Sequence, residues 1–155
     1  MTEYPTATLS IKGGSKKGFK NTVQVRDVPS IIIDEPERLG GTNEGANPLE
    51  YFLASLSACT SIMIAYAAKE MGFQYRNVTY AAEGTLDPRG FKGVEGVQTY
   101  FKTISLDIEV ETEETEASFQ QLKETVEKRC PLYNLAKDAG VEIETHWGKK
   151  ESTPQ

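Results

Sequence analysis

From Tyr51 to Ala68 the chain runs eighteen residues without a charged side chain. Few features constrain a fold more, because such a stretch approaches the length needed to span a bilayer and otherwise has to be enclosed by protein. Ser55, Ser57, Thr60 and Ser61 interrupt it, Glu50 precedes it, and neither flank carries the positive bias of a membrane anchor. The segment therefore reads as a buried central helix, and no membrane is expected as a partner. Its start is marked by Asn47-Pro48-Leu49-Glu50: an amide N-cap, proline at the first helical position, and an acid placed to return a bond to the cap. Gly72 stops it. Apolar or small residues cover most of its circumference, as a helix covered on most sides requires.

Around this helix the pattern is that of strands. Ala7, Leu9 and Ile11 alternate with Thr6, Thr8, Ser10 and Lys12, and Gly13-Gly14 punctuates the end of that run. Phe19 to Val25 reads as the return strand of a hairpin, and Ser30-Ile31-Ile32-Ile33 as a third strand. After the helix, Tyr75 to Leu86 and Val97 to Val110 form two further candidates joined through Asp87-Pro88-Arg89-Gly90. The alternation of Ile104, Leu106, Ile108 and Val110 with Ser105, Asp107 and Glu109 leaves one face of the second strand wet. Glu113, Glu114 and Glu116 open a second helix that Lys128 and Arg129 close, matching the helix dipole at both ends. Phe119, Leu122, Val126 and Cys130 step along its inner face. Pro131 breaks the ladder and starts a short helix to about Lys137, and Val141 to Trp147 forms a last strand after Gly140. The order βββ-α-ββ-αα-β predicts an α+β fold with a largely antiparallel sheet. One domain over residues 1–148 is expected, with 149–155 as a frayed tail.

Composition removes several function classes. Among 155 residues the formal net charge is −6, and the short basic cluster Lys16-Lys17 sits in a Gly-rich turn, so nucleic acid is not an expected partner. There is one histidine, His146, and the two cysteines lie 71 positions apart, which excludes a local Cys-x-x-Cys motif and leaves no grouped metal ligands. Neither a metal nor another cofactor is expected. Nothing at Met1-Thr2-Glu3-Tyr4-Pro5 resembles a signal peptide, and the protein is expected to be cytoplasmic.

The chemistry then rests on Cys59 and Cys130. A buried cysteine is most often a small hydrophobe; a reactive one requires a cation, a helix N-terminus or a donor to favour the thiolate, and access for the oxidant. Cys59 lies mid-helix, where its own helix dipole does little, so a cation from elsewhere in the fold has to activate it.

Gly41-Thr42-Asn43, Asn47-Pro48-Leu49-Glu50 and Ala58-Cys59, followed far downstream by Cys130-Pro131-Leu132-Tyr133-Asn134, resemble the signature of the OsmC/Ohr family, which includes organic hydroperoxide reductases. The resemblance implies an OsmC-like fold with a buried central helix, assembled as an intertwined homodimer with its sites at the subunit interface. It implies a peroxidatic Cys59 that attacks the peroxide and a resolving Cys130 that closes a disulfide. A small organic peroxide is the implied substrate, and an external dithiol the reductant. An arginine and a glutamate position the thiolate and polarise the leaving oxygen. Arg38, in the loop before the central helix, is the candidate arginine, because the first hairpin has Gly13-Gly14-Ser15-Lys16 and no arginine. Its alternative is a solvated loop charge. Glu50 is the candidate acid, although one branch of the family places it directly after the proline, where Leu49 stands; its alternative is the helix cap. These departures keep open a second function on the same scaffold, a protein that binds a small hydrophobic or electrophilic ligand near Cys59 without peroxidase turnover.

Overall fold

The structure is a computed structural model that describes residues 3–152. The chain divides into two compact units, residues 1–52 and 53–155.

The first unit holds a three-stranded antiparallel sheet of β1 (Lys12–Ser15), β2 (Asn21–Gln24) and β3 (Ile31–Ile33), in that order. The first strand differs from the sequence expectation. Residues 6–11 form no strand, and Leu9 and Ile11 are exposed. The glycine pair expected to end the strand lies inside it, with Gly13 opposite Val23 and Gly14 opposite Thr22. The reason is close approach: a Cβ on Gly13 would stand 2.9 Å from the Thr22 carbonyl oxygen, so glycine is what lets these strands come together. Alternation in 6–11 marks an extended segment, but it does not say which residues find a neighbouring strand.

After β3 a loop is organised by Asp34, which is 2% exposed. Its carboxylate accepts from the Thr42 hydroxyl at 2.6 Å and from the backbone N–H groups of Glu35, Thr42 and Glu44. Led by the Thr42 hydroxyl, these donors hold its pKa down to about 2. Gly41 is needed here because a methyl would collide with the Glu35 carbonyl oxygen, and Asn43 takes a left-handed φ of 54°. The Gly41-Thr42-Asn43 motif is thus the shape of this loop.

The helix α1 (Pro48–Met71) begins in the first unit and continues into the second. The second unit adds β4 (Asn77–Thr85), a short α2 (Pro88–Phe91), β5 (Thr103–Glu111), α3 (Glu116–Arg129), α4 (Pro131–Asp138) and β6 (Glu142–Lys150). β5 is central in this sheet, antiparallel to β4 and parallel to β6, and the α3–α4 crossover makes the parallel pairing possible. The fold is α+β and largely antiparallel, in two small sheets. β5 starts at Thr103 rather than near Val97: Gly93 and Gly96 take positive φ, and the buried Phe101 ring lies against Gly84, where a methyl would strike it. β6 carries Lys149 and Lys150, two residues of the expected tail; residues 153–155 lie outside the described residues.

The core joins Ile64, Ala67 and Ala68 of α1, Leu106, Ile108 and Val110 of β5, and Phe119, Leu122 and Val126 of α3. By length and composition α1 would suffice to cross a membrane, yet Leu56, Ser57, Thr60, Ile64, Ala67 and Ala68 form a stripe within the protein interior, which makes it a core helix. Ser57 and Thr60 bond back to the carbonyls of Leu53 and Leu56, one turn earlier. The covering on most sides expected from its composition is not present in the single chain, where Ile62 and Tyr66 are 56% and 60% exposed.

Candidate active site

Cys130 sits where α3 ends and α4 begins. Its N–H closes the last turn of α3 on the Val126 carbonyl, and with φ −69° and ψ 115° it is the extended N-cap of α4. Pro131 dictates this, since the residue before proline is pushed out of the helical region and proline suits the first helical position. The inner-face stripe Phe119, Leu122, Val126 and Cys130 is buried, as its spacing predicts, and Cys130 is 0% exposed.

Cys59 meets this junction from α1 and is partly exposed. Both cysteines are free, with Sγ atoms 3.3 Å apart, about 1.3 Å beyond a disulfide bond length. The Thr60 hydroxyl lies 3.9 Å from the Cys130 sulfur. The backbone N–H of Leu132 lies in the first turn of α4, beside the Cys59 thiol. Burial pushes the Cys59 thiol up, the Leu132 N–H opposes that by favouring the thiolate, and the adjoining Cys130 adds to the rise. The net direction is upward.

Glu50 and Asn47 form a reciprocal capping box: the Asn47 side-chain oxygen accepts from the Glu50 N–H at 2.9 Å, and Glu50 Oε2 accepts from the Asn47 N–H at 3.2 Å. Arg38 lies in a single 3-10 turn (Glu37–Leu39) of the first unit, exposed, and its guanidinium has no partner among the described residues. Arg129, next to Cys130 in sequence, is engaged with both carboxylate oxygens of Glu70. His146 is exposed on β6 and 2.8 Å from Asp107. Among the described residues no three of His, Cys, Asp and Glu converge to hold a metal ion.

The structure thus brings Cys59 and Cys130 together. It adds a participant that sequence reasoning missed, the Leu132 N–H. The signal was present: Cys-Pro starts a helix, and a helix start aims free N–H groups outward.

A family model described as OsmC-like protein matches residues 41–146. No curated protein matches the chain. Among solved structures, an OsmC-like protein from Mycoplasma pneumoniae superposes with a TM-score of 0.75 at 19% identity, over 95% of this chain and 99% of that one. An organic hydroperoxide resistance protein from Elizabethkingia anophelis gives 0.69 at 20% identity over 97% and 100%. The organic hydroperoxide resistance protein OsmC from Legionella pneumophila gives 0.67 at 19% over 95% and 99%. At these identities the likeness is one of fold.

Proposed function

Because the chain belongs to the OsmC-like protein family, we propose that it is a thiol-dependent peroxidase that reduces organic hydroperoxides through Cys59 and Cys130. The observation that carries this reading is the 3.3 Å approach of two free thiols, one of them partly exposed. The Cys59 thiolate attacks one peroxide oxygen and the O–O bond breaks, leaving a Cys59 sulfenic acid; the alkoxide takes a proton and departs as alcohol. The Cys130 thiol displaces the sulfenic hydroxyl, releasing water and forming the Cys59–Cys130 disulfide. An external dithiol then reduces that bond by exchange. The substrate is a small organic peroxide, and the cytoplasm supplies the reducing conditions.

Cys59 needs a cation to offset its burial, and Arg38 is assigned that role, in the homodimer that the family resemblance implies. The exposed Ile62 and Tyr66 on the core helix support an assembly that covers them. Glu50 is assigned to the leaving oxygen: Oε2 is bonded to the Asn47 N–H, which leaves Oε1 for this. One observation favours the second function, a ligand-binding protein without turnover, namely the upward direction of the Cys59 pKa. Sedimentation at micromolar concentration is expected to give a species near twice the mass of one chain, and that species is expected to consume an alkyl hydroperoxide continuously when a dithiol is present. A dimer that leaves the peroxide intact favours the binding protein, and a stable monomer removes the interface site.

A further inference from the structure

Residues 34–46 leave the end of β3 and return to it, and Arg38 lies within that excursion. The Asp34 N–H bonds to the Ala46 carbonyl at 3.1 Å, and Ala46 bridges Ile33, so the two ends of the segment meet. A surface loop closed in this way is held by its own contacts. The Leu39 and Gly41 N–H groups both donate to the Pro36 carbonyl, the Gly40 N–H to that of Glu37 and the Asn43 N–H to that of Glu35. The buried Asp34 carboxylate takes the Thr42 hydroxyl and the N–H groups of Thr42 and Glu44, which ties the start of the loop to its second half.

The loop carries one cation, Arg38, and four acids, Asp34, Glu35, Glu37 and Glu44. A guanidinium among carboxylates ordinarily pairs with one of them. Three of these acids are engaged elsewhere: Asp34 by the donors above, Glu35 by the Asn47 amide at 3.4 Å, and Glu44 by Lys20 at 3.0 Å. Glu44 Oε2 also lies 2.7 Å from the Thr42 hydroxyl, whose one proton goes to Asp34 at 2.6 Å, since Glu44 already has Lys20. Among the described residues Arg38 forms an ion pair with none of the four.

We propose that Asp34 and Thr42 are positioning residues, whose hydrogen bond closes the 34–46 loop and holds Arg38 in a turn that leaves its guanidinium free to act on an anion outside the loop. Without the hydroxyl the loop opens more readily, and Asp34 becomes an acceptor with which Arg38 can pair instead.

The inference rests on the reading of Arg38 as the cation for Cys59, and two measurements separate the one from the other. In the first, amide hydrogen exchange is followed by mass spectrometry in peptides from the 34–46 loop and from β5. Thr42→Val, which keeps the shape and loses the hydroxyl, is expected to exchange roughly tenfold faster in the loop, the scale of one hydrogen bond to a charged group in a local opening, with β5 unchanged. Asp34→Asn is expected to follow it, and Thr42→Ser to behave as the unmutated chain. Loop exchange equal in Thr42→Val and the unmutated chain overturns the proposal. So does faster exchange throughout, which marks a merely structural residue. In the second, the rate of Cys59 alkylation is followed against pH in reduced protein. Arg38→Ala and Thr42→Val are each expected to raise the midpoint, and the double variant to lie no higher than Arg38→Ala alone, because Thr42 acts through Arg38. A Thr42→Val shift that persists in full beside Arg38→Ala overturns the proposal. A midpoint that Arg38→Ala leaves in place removes the cation reading, and the clasp then stands or falls on the loop exchange.

Discussion

Cys130→Ser is expected to consume one equivalent of alkyl hydroperoxide and then stop, with Cys59 held as a sulfenic acid that a dimedone-type reagent traps. The substitution is nearly isosteric, so Cys59 keeps its place on α1. The neighbouring Cys130 thiol is one of the influences that raise the Cys59 pKa, and its removal works in favour of the thiolate, so the first step is expected to be no slower than in the unmutated chain. What is lost is the second thiol at 3.3 Å, and with it turnover. Cys59→Ser is expected to react no faster than the double variant. Peroxide consumption and trapped adduct, counted per chain, check both. A Cys130→Ser chain as inert as the double variant would mean that Cys59 is not peroxidatic.

Phe119→Ala is expected to cost about 3–5 kcal/mol of folding stability, the range for deleting a buried aromatic side chain. Phe119 is 2% exposed, packs in the cluster with Leu106, Ile108 and Val126, and meets Trp147 edge-on at 6.2 Å between ring centroids. Such a loss is a large part of the roughly 5–15 kcal/mol that stabilises a typical domain. A shift of the denaturant midpoint at constant slope measures it. A loss under about 1 kcal/mol would contradict the packing of α3 on the sheet, on which the position of Cys130 depends.

Much of the frame that holds the thiols is legible in the sequence, and particular residues show where legibility ends. The three-and-four spacing from Phe119 through Val126 carries Cys130 inward because a helix face is a local property. The alternation of Ile104 to Val110 is legible for the same reason. That Cys59 and Cys130 meet is not a local property; 71 positions separate them, and only the crossing of α1 by the α3–α4 junction brings their sulfurs together. The place of the first strand is not legible because pairing depends on a partner: Gly13 and Gly14 read as a turn in isolation, yet they are the residues that fit against β2. The start of β5 at Thr103 is not legible either, because a tertiary contact, Phe101 on Gly84, takes the preceding chain out of the sheet. The uncharged surface of α1 reads correctly as a core helix. What covers Ile62 and Tyr66 is not written in the helix itself.

The most direct test of the central claim is stoichiometric. Fully reduced protein is mixed with one equivalent of an alkyl hydroperoxide, quenched by acid and digested without reductant, and its cysteine peptides are weighed. A Cys59–Cys130 linked peptide within one chain is expected, with the alcohol formed in equal amount. Two unmodified thiols beside an intact peroxide would contradict it and leave the pair as two small hydrophobes in the core.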